Sequence, residues 1–413
     1  VVIRAAPPTT GRLHIAYFAP AWPPETIANG IVTYVAVIRV WLMAQGHRVT
    51  IVADGVAYGM DDEPVSLDGG GVVARMRVRL AARADRGTGD RPGAGRRIAR
   101  HFARLHRRDP IDLIEMEESF GWSRVVARAV DVPVVTRLHG PWFLSPVESE
   151  RIEKTAQTLQ RIAAEGRAIE TARAITSPSA RLLDAVRARH PIAGQVAAIP
   201  NPIVPAAAAD RWRAEASDPD LILWVGRIDR RKGADIALDA FARVAKSHAA
   251  ARLVVVGPDD GIAMPGEARL FFEDYCAARL PPSVRERIEY LGRISRADIA
   301  GLRRRAALAI IPSRYENFPY SLAEAMALGS PAVAVDSFGC GEMIVDGESG
   351  WLVPTADDDA LARAILAVLF DRQKAAMVGA AAWQRCVDHY GADVIGEATL
   401  AFYRQVLAKS GAH

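Results

Sequence analysis

Cysteine is scarce in this 413-residue chain: Cys276, Cys340 and Cys386 are far apart and odd in number, and a single histidine, His389, lies within a few positions of any of them. That excludes a disulfide framework and a zinc site of ordinary ligand spacing, and it predicts a reducing, cytoplasmic setting. Lysine is almost as rare, at Lys154, Lys232, Lys246, Lys374 and Lys409 only, so a lysine inside a motif is worth noticing. The longest apolar run, Ile31 to Ala44, contains Arg39 and is too short to cross a bilayer. The opening VVIRAAPPTT carries two prolines and no extended apolar core, so no signal peptide is expected. No G-x-G-x-x-G follows an opening strand and no G-x-x-x-x-G-K-[ST] is present, which argues against a dinucleotide-dependent oxidoreductase and a P-loop enzyme. A large charge excess is missing too: Lys+Arg of 52 against Asp+Glu of 48 leaves +4, too little to imply nucleic acid. The charge is uneven, however. Residues 75–108 hold twelve arginines against Asp85 and Asp90, a local +10 that leaves −6 for the remainder.

What is present is an α/β pattern of the length expected for two domains. Residues 12–19, RLHIAYFA, form a compact apolar run that ends in prolines. The long apolar segment from Gly30 follows, then the Gly46-His47 stop and the β-rich run Val49–Ala53. Strand, loop, helix, turn, strand is the opening unit of a Rossmann-like sheet. Further strands are expected at 112–116, 133–138, 174–176 and 196–199, and their continuous apolarity predicts a parallel sheet covered on both faces. Ile199-Pro200-Asn201-Pro202 breaks the pattern and marks a domain boundary. The pattern then restarts, with strands at 221–225, 252–256, 288–291, 308–311 and 332–335 and helices at 234–246, 297–304 and 321–328. Two doubly wound domains in tandem follow, 1–203 and 204–390. The helical tail should return to the first domain through its last segment, about 391–413.

Open parallel sheets bind ligands beyond the C-terminal ends of their strands. After 221–225 comes Gly226-Arg227-Ile228-Asp229-Arg230-Arg231-Lys232-Gly233, a cationic turn entering a helix. Glycine lets backbone approach a ligand, and Arg227 and Lys232 could neutralise a diphosphate, although a solvated basic loop has the same look. After 308–311, Glu316 stands in the loop and Glu324 eight positions on. These are either two carboxylates around a helix N-terminus or, for Ser321-x-x-Glu324, a capping box that closes its own helix.

In combination these blocks carry a resemblance. Arg227 with Lys232, the Glu316/Glu324 spacing, AMALGSP from Ala325, FGCGE from Phe338 and DGESG from Asp346 resemble, in that order, retaining glycosyltransferases of family 4 in the GT-B superfamily. The resemblance extends to Gly46-His47 and to the crossing at Ile199–Pro202, and is strongest in the second domain. It implies two Rossmann-like domains facing a central cleft and a nucleoside-diphosphate sugar, UDP- or GDP-linked, as co-substrate. It also implies that Arg227 and Lys232 balance the leaving-group charge without a metal cofactor, that Glu324 meets the ribose and that Glu316 meets the transferred sugar. Asn317, Phe318, Pro319, Tyr320 and Ser321 would lie along sugar and phosphate, with Arg293 and Ile294 near the base. Asp218-Pro219-Asp220 precedes a strand and is read as a turn, not a metal motif, and Asp357-Asp358-Asp359 as a helix cap.

In the first domain, His139-Gly140 stands where the family carries a histidine beside the sugar, and Gly30 where relatives have paired glycines. Glu115-Met116-Glu117-Glu118 departs from the pattern at that strand end. Glu115 and Glu118 either grip acceptor hydroxyls or belong to a solvated loop. Trp142, with Trp22 and Phe143, is either a sugar-stacking surface for the acceptor or a set of packing plugs. Residues 96–107, RRIARHFARLHR, place Ile98, Phe102 and Leu105 on one helical face among arginines. That is either an anionic-membrane surface suited to a glycolipid acceptor, or a solvated helix covering the sheet. Basic aromatic platforms for nucleic acid are missing, so none is expected as a partner.

Overall fold

The computed structural model describes residues 11–24, 29–67, 93–144 and 155–411. The chain divides into two compact units, one of Val1–Pro202 with Ala392–His413 and one of Ile203–Gly391.

Unit 1 opens with β1 (His14–Phe18), α1 (Gly30–Ala44) and β2 (Arg48–Ala53). A short hairpin extension of β3 (Val56–Tyr58) and β4 (Pro64–Ser66) follows, then α2 (Ala94–Arg108), β5 (Leu113–Glu117) and α3 (Trp122–Ala129). The half ends with β6 (Val134–Arg137), α4 (Ala156–Thr171), β7 (Ala174–Ser177), α5 (Ala180–Arg187) and β8 (Gln195–Ala198). The strands form one sheet in the order β4-β3-β2-β1-β5-β6-β7-β8. All pairings are parallel except those of β3 with β2 and β4. Both faces of β1 are buried, which is why RLHIAYFA shows no alternation. The order reverses at β1/β5, so the loops after these strands lie at a topological switch point.

Unit 2 contains β9 (Leu221–Val225), α6 (Ala234–Ser247), β10 (Arg252–Val256), α7 (Phe272–Arg279), α8 (Pro282–Arg285) and β11 (Ile288–Tyr290). It continues with α9 (Arg296–Arg305), β12 (Leu308–Ile311), α10 (Tyr320–Leu328), β13 (Ala332–Val335), α11 (Cys340–Met343) and β14 (Trp351–Val353). Helices α12 (Asp358–Phe370) and α13 (Arg372–Tyr390) close it. The six strands are all parallel, in the order β11-β10-β9-β12-β13-β14, and the switch point lies at β9/β12. The loops carrying Lys232 and Glu316 therefore emerge side by side.

The last helix, α14 (Ala392–Ser410), packs on α1 in unit 1. Trp41 Nε1 donates to Asp393 Oδ1 at 2.8 Å, and a Cβ at Gly396 would meet the Trp41 ring at 2.2 Å, so glycine is what lets the two helices close.

Helix α2 settles part of the arginine-rich segment; residues 75–92 lie outside the described ones. Ile98, Phe102 and Leu105 are buried in the core with Ile114 and Val126. The apolar stripe therefore covers the sheet and is not offered to a membrane. Arg96, Arg97, Arg100, Arg107 and Arg108 remain exposed as a purely cationic face.

Candidate active site

In unit 2 the loop after β9 is pinned to the loop after β12. Asp229 Oδ1 accepts from the Lys232 amide at 2.6 Å and closes the cationic turn. Gly233 has φ +75°, and a Cβ there would stand 2.0 Å from the Pro312 carbonyl, so only glycine allows the contact. Arg314 then ties the loops further, donating to the Arg230 carbonyl at 2.6 Å and to both oxygens of Asp235. The consequence is a direct ion pair from the Lys232 ammonium to the Glu316 carboxylate. Glu316 is buried and Lys232 mostly so; the pair leaves neither charge uncompensated. Gly339 fixes the next segment, its amide donating to the Glu316 carbonyl at 2.7 Å and its missing Cβ leaving room for the Asn317 carbonyl.

Arg227 begins the same loop, half exposed, and pairs at 2.9 Å with Asp260 on the loop after β10. Asn317 is half-buried, and Pro319 is the N-cap of α10, whose first turn no side chain caps. Its first backbone donors are thus left without a side-chain cap, and the Phe318 ring is buried against Tyr320 and Tyr390. Arg293 is exposed beyond β11, and Ile294 packs on the cluster around Leu223 and Val256.

The capping-box reading is corrected here. Helix α10 begins at Tyr320 after Pro319, so Ser321 is inside the first turn and Glu324 beyond it. Glu324 instead pairs with Arg303 of α9 at 2.6 Å. Asp218 and Asp220 form the turn before β9, Asp218 Oδ1 accepting from the Asp220 amide at 3.1 Å, and Asp357 caps α12.

In unit 1, Asn29 caps α1 by accepting from the Ile31 amide at 2.8 Å, which puts Gly30 in its first turn at the β1/β5 switch point. His139 follows β6, half-buried, with its ring edge-on to Tyr34 at 5.8 Å. Burial, then the Arg137 guanidinium, holds its imidazole well below the usual histidine range, so the ring is neutral.

The acidic strand end is not an acceptor grip. Glu115 is 2% exposed, and both its oxygens are taken by tyrosine hydroxyls, Tyr34 and Tyr403 each donating at 2.7 Å. Glu118, 1% exposed, accepts from the amides of His139 at 2.9 Å and Gly140 at 2.8 Å. The expectation that these carboxylates face an acceptor therefore fails: partners from the same unit occupy them. Trp142 is half-buried, its amide donating to Glu165 at 2.8 Å and its ring lying under the Arg161 guanidinium at 4.1 Å. Arg161 also covers Phe120 at 4.1 Å. Trp22 is a packing residue, donating from Nε1 to Asp62 at 3.0 Å, and Phe143 packs on His190.

Sequence reasoning missed Arg314, Asp235, Asp260 and Glu165. Nothing local marks them, because each acts on a residue far along the chain.

Two family models together account for residues 28–385: "Glycosyltransferase Family 4" matches 28–207 and "Glycosyl transferases group 1" matches 208–385. The chain belongs to the family 4 glycosyltransferases. It is 25% identical over 292 residues to the alpha-D-kanosaminyltransferase of Streptomyces kanamyceticus, covering 68% of this chain and 73% of that one. Against several other curated relatives it spans about half their length or less. Among solved structures, sucrose-phosphate synthase of Thermosynechococcus elongatus superposes with a TM-score of 0.74 at 21% identity, over 96% of this chain and all of that one. Anabaena HepE, solved with UDP and glucose, superposes with a TM-score of 0.64 at 18% identity, over 95% of this chain and all of that one. The protein is thus a glycosyltransferase with the two-unit α/β fold of those enzymes.

Proposed function

We propose that this glycosyltransferase moves a sugar from a UDP- or GDP-sugar to a hydroxyl of a glycan, glycolipid or small molecule, with retention at the anomeric carbon and no metal cofactor. The observation that carries this reading is the Lys232–Glu316 pair at the β9/β12 switch point, beside the uncapped N-terminus of α10. An ammonium, helix-end amides and the nearby Arg227 suit a diphosphate; a buried carboxylate suits sugar hydroxyls. Glu324, Arg293 and Ile294 are assigned to ribose and base, and His139 and Gly30 of unit 1 to the sugar.

In the reaction proposed, the bond from the anomeric carbon to the phosphate oxygen breaks through an oxocarbenium-like state. Lys232 and Arg227 take up the charge of the departing diphosphate. The acceptor oxygen bonds to the same face, and its proton passes to the phosphate oxygen that left. Because protein cations balance that charge, turnover should survive chelation of divalent metal. The neutral imidazole of His139 can accept a hydrogen bond from a sugar hydroxyl.

Thermal-shift screening against UDP, GDP, ADP and their sugars identifies the donor, since a ligand of the native state raises the melting temperature. With that donor, Lys232→Ala and Glu316→Ala should each reduce turnover by about 10²-fold or more. Wild-type rates in folded variants would defeat the assignment, and an inverted anomer by NMR would defeat retention.

We further propose that the enzyme works in the cytoplasm, peripheral to an anionic membrane face through the exposed arginines of α2. Among the described residues no helix is long and apolar enough to cross a membrane.

A further inference from the structure

The loop that follows β6 carries His139, Gly140, Pro141 and Trp142, and all three of its amide N–H groups end on buried carboxylates. Glu118 takes those of His139 and Gly140, one on each oxygen, and Glu165 takes that of Trp142. Pro141 has no N–H to place. Glu165 is fully buried in α4, and its other oxygen accepts from the Phe120 amide at 3.2 Å and from Arg161 Nε at 2.8 Å. The Arg161 guanidinium lies over the rings of Phe120 and Trp142. Close approach seals the junction, since a Cβ at Gly121 would stand 2.4 Å from the Ala164 carbonyl. Two carboxylates from different elements therefore hold a short loop by its backbone amides.

We propose that Glu118 is the positioning residue for His139: its ionised carboxylate holds the His139 and Gly140 amides and so sets the imidazole for the transferred sugar. This rests on the role assigned to His139 above. Protonation of Glu118 converts one of its two acceptor oxygens into a hydroxyl, which weakens the grip on one amide. Among the described residues, the charged and titratable side chains in this part of the unit are Glu117 at the same strand end, Glu165 and Arg161 on α4, and Arg137 and His139 at the end of β6. Burial, then the negative charges of Glu165 and Glu117, pushes Glu118 up to about 8. The grip thus tightens as pH rises through that value.

Full-length protein labelled with [15N]histidine is suitable for the test, because the chain has only nine histidines. The amide signal of His139, identified by its loss in His139→Asn, should move downfield with a midpoint near pH 8. Glu118→Gln should abolish that movement. With UDP-glucose or GDP-mannose, whichever the donor screen selects, Glu118→Gln should lower kcat about tenfold or more while donor KM changes by less than about threefold. Glu118→Asp should restore part of the loss. A His139 amide indifferent to pH across this range would overturn the proposal without any variant, as would Glu118→Gln with wild-type kcat and pH profile. His139→Ala separates the two levels of the argument. If it turns over like wild type, the role of His139 fails, while the amide titration still decides whether Glu118 holds the loop.

Discussion

Arg314 and Asp235 meet as a two-pronged ion pair, Nη1 to Oδ1 at 2.7 Å and Nη2 to Oδ2 at 2.6 Å. Both are largely buried, and the pair fastens the loop bearing Glu316 to the start of the helix that follows Lys232. Arg314→Ala leaves a buried carboxylate without its cation, which should cost about 3–5 kcal/mol in urea unfolding. Arg314→Lys keeps the charge but not the fork and should fall between. Equal stability of all three proteins would show that the fork contributes nothing.

Two glycines of unit 2 with the same backbone conformation should respond differently. Gly233 and Gly347 have φ of +75° and +74°, yet a Cβ at Gly233 meets the Pro312 carbonyl at 2.0 Å and one at Gly347 meets nothing within 4 Å. Gly347→Asn, a residue tolerant of this conformation, should change stability by less than about 1 kcal/mol. Gly233→Ala must force the Lys232 and Glu316 loops apart, costing more than about 2 kcal/mol and lowering turnover in step. Thermal unfolding and donor turnover of the two variants, measured together, decide this.

The parallel strands were legible because strands buried on both faces read as unbroken apolar runs, as in Leu221–Val225 and Leu308–Ile311. The hairpin of β3 and β4 was not, since three-residue strands leave no period to detect. Lys232 and Glu316 could be singled out because each follows such a strand. Glu115 was misread because its fate depends on tyrosines 81 and 288 positions away, and no local pattern announces them. Ser321-x-x-Glu324 left two readings open for the opposite reason: the local motif is sound, but the helix is capped at Pro319, two residues before Ser321, and Arg303 claims the carboxylate.

The stability of unit 1 should fall as pH rises from about 6.5 to about 8. Burial pushes Glu117 up to about 7 and Glu118 up to about 8. Unfolded, both titrate near 4.5, so in this window the native state holds protons that the unfolded state has already lost, and each step up in pH favours unfolding. Below about 6.5 the sign reverses in part, because burial holds His14, His47 and His139 below the usual range and the unfolded state then binds the extra protons. Melting temperatures read by unit 1 probes should decline across the window and flatten in Glu117→Gln/Glu118→Gln. A wild-type profile level from pH 6.5 to 8 would remove both groups from the linkage.

The arginine face of α2 gives a prediction that the burial of its apolar stripe sharpens. With Ile98, Phe102 and Leu105 committed to the core, no hydrophobic insertion remains to hold the helix on a bilayer, and only charge can act. Each cation near an anionic surface contributes about 1 kcal/mol, and the attraction is screened within a Debye length of roughly 10 Å at 0.1 M salt. The enzyme should therefore float with vesicles containing anionic lipid at low salt, detach fully at about 0.5 M salt, and ignore vesicles of neutral lipid alone. Arg96→Glu, Arg97→Glu and Arg100→Glu together should abolish flotation while leaving the melting temperature near that of wild type, because all three side chains are exposed. Binding that persists in high salt would point to an apolar anchor elsewhere, and failure to float at low salt would remove the membrane from the proposal.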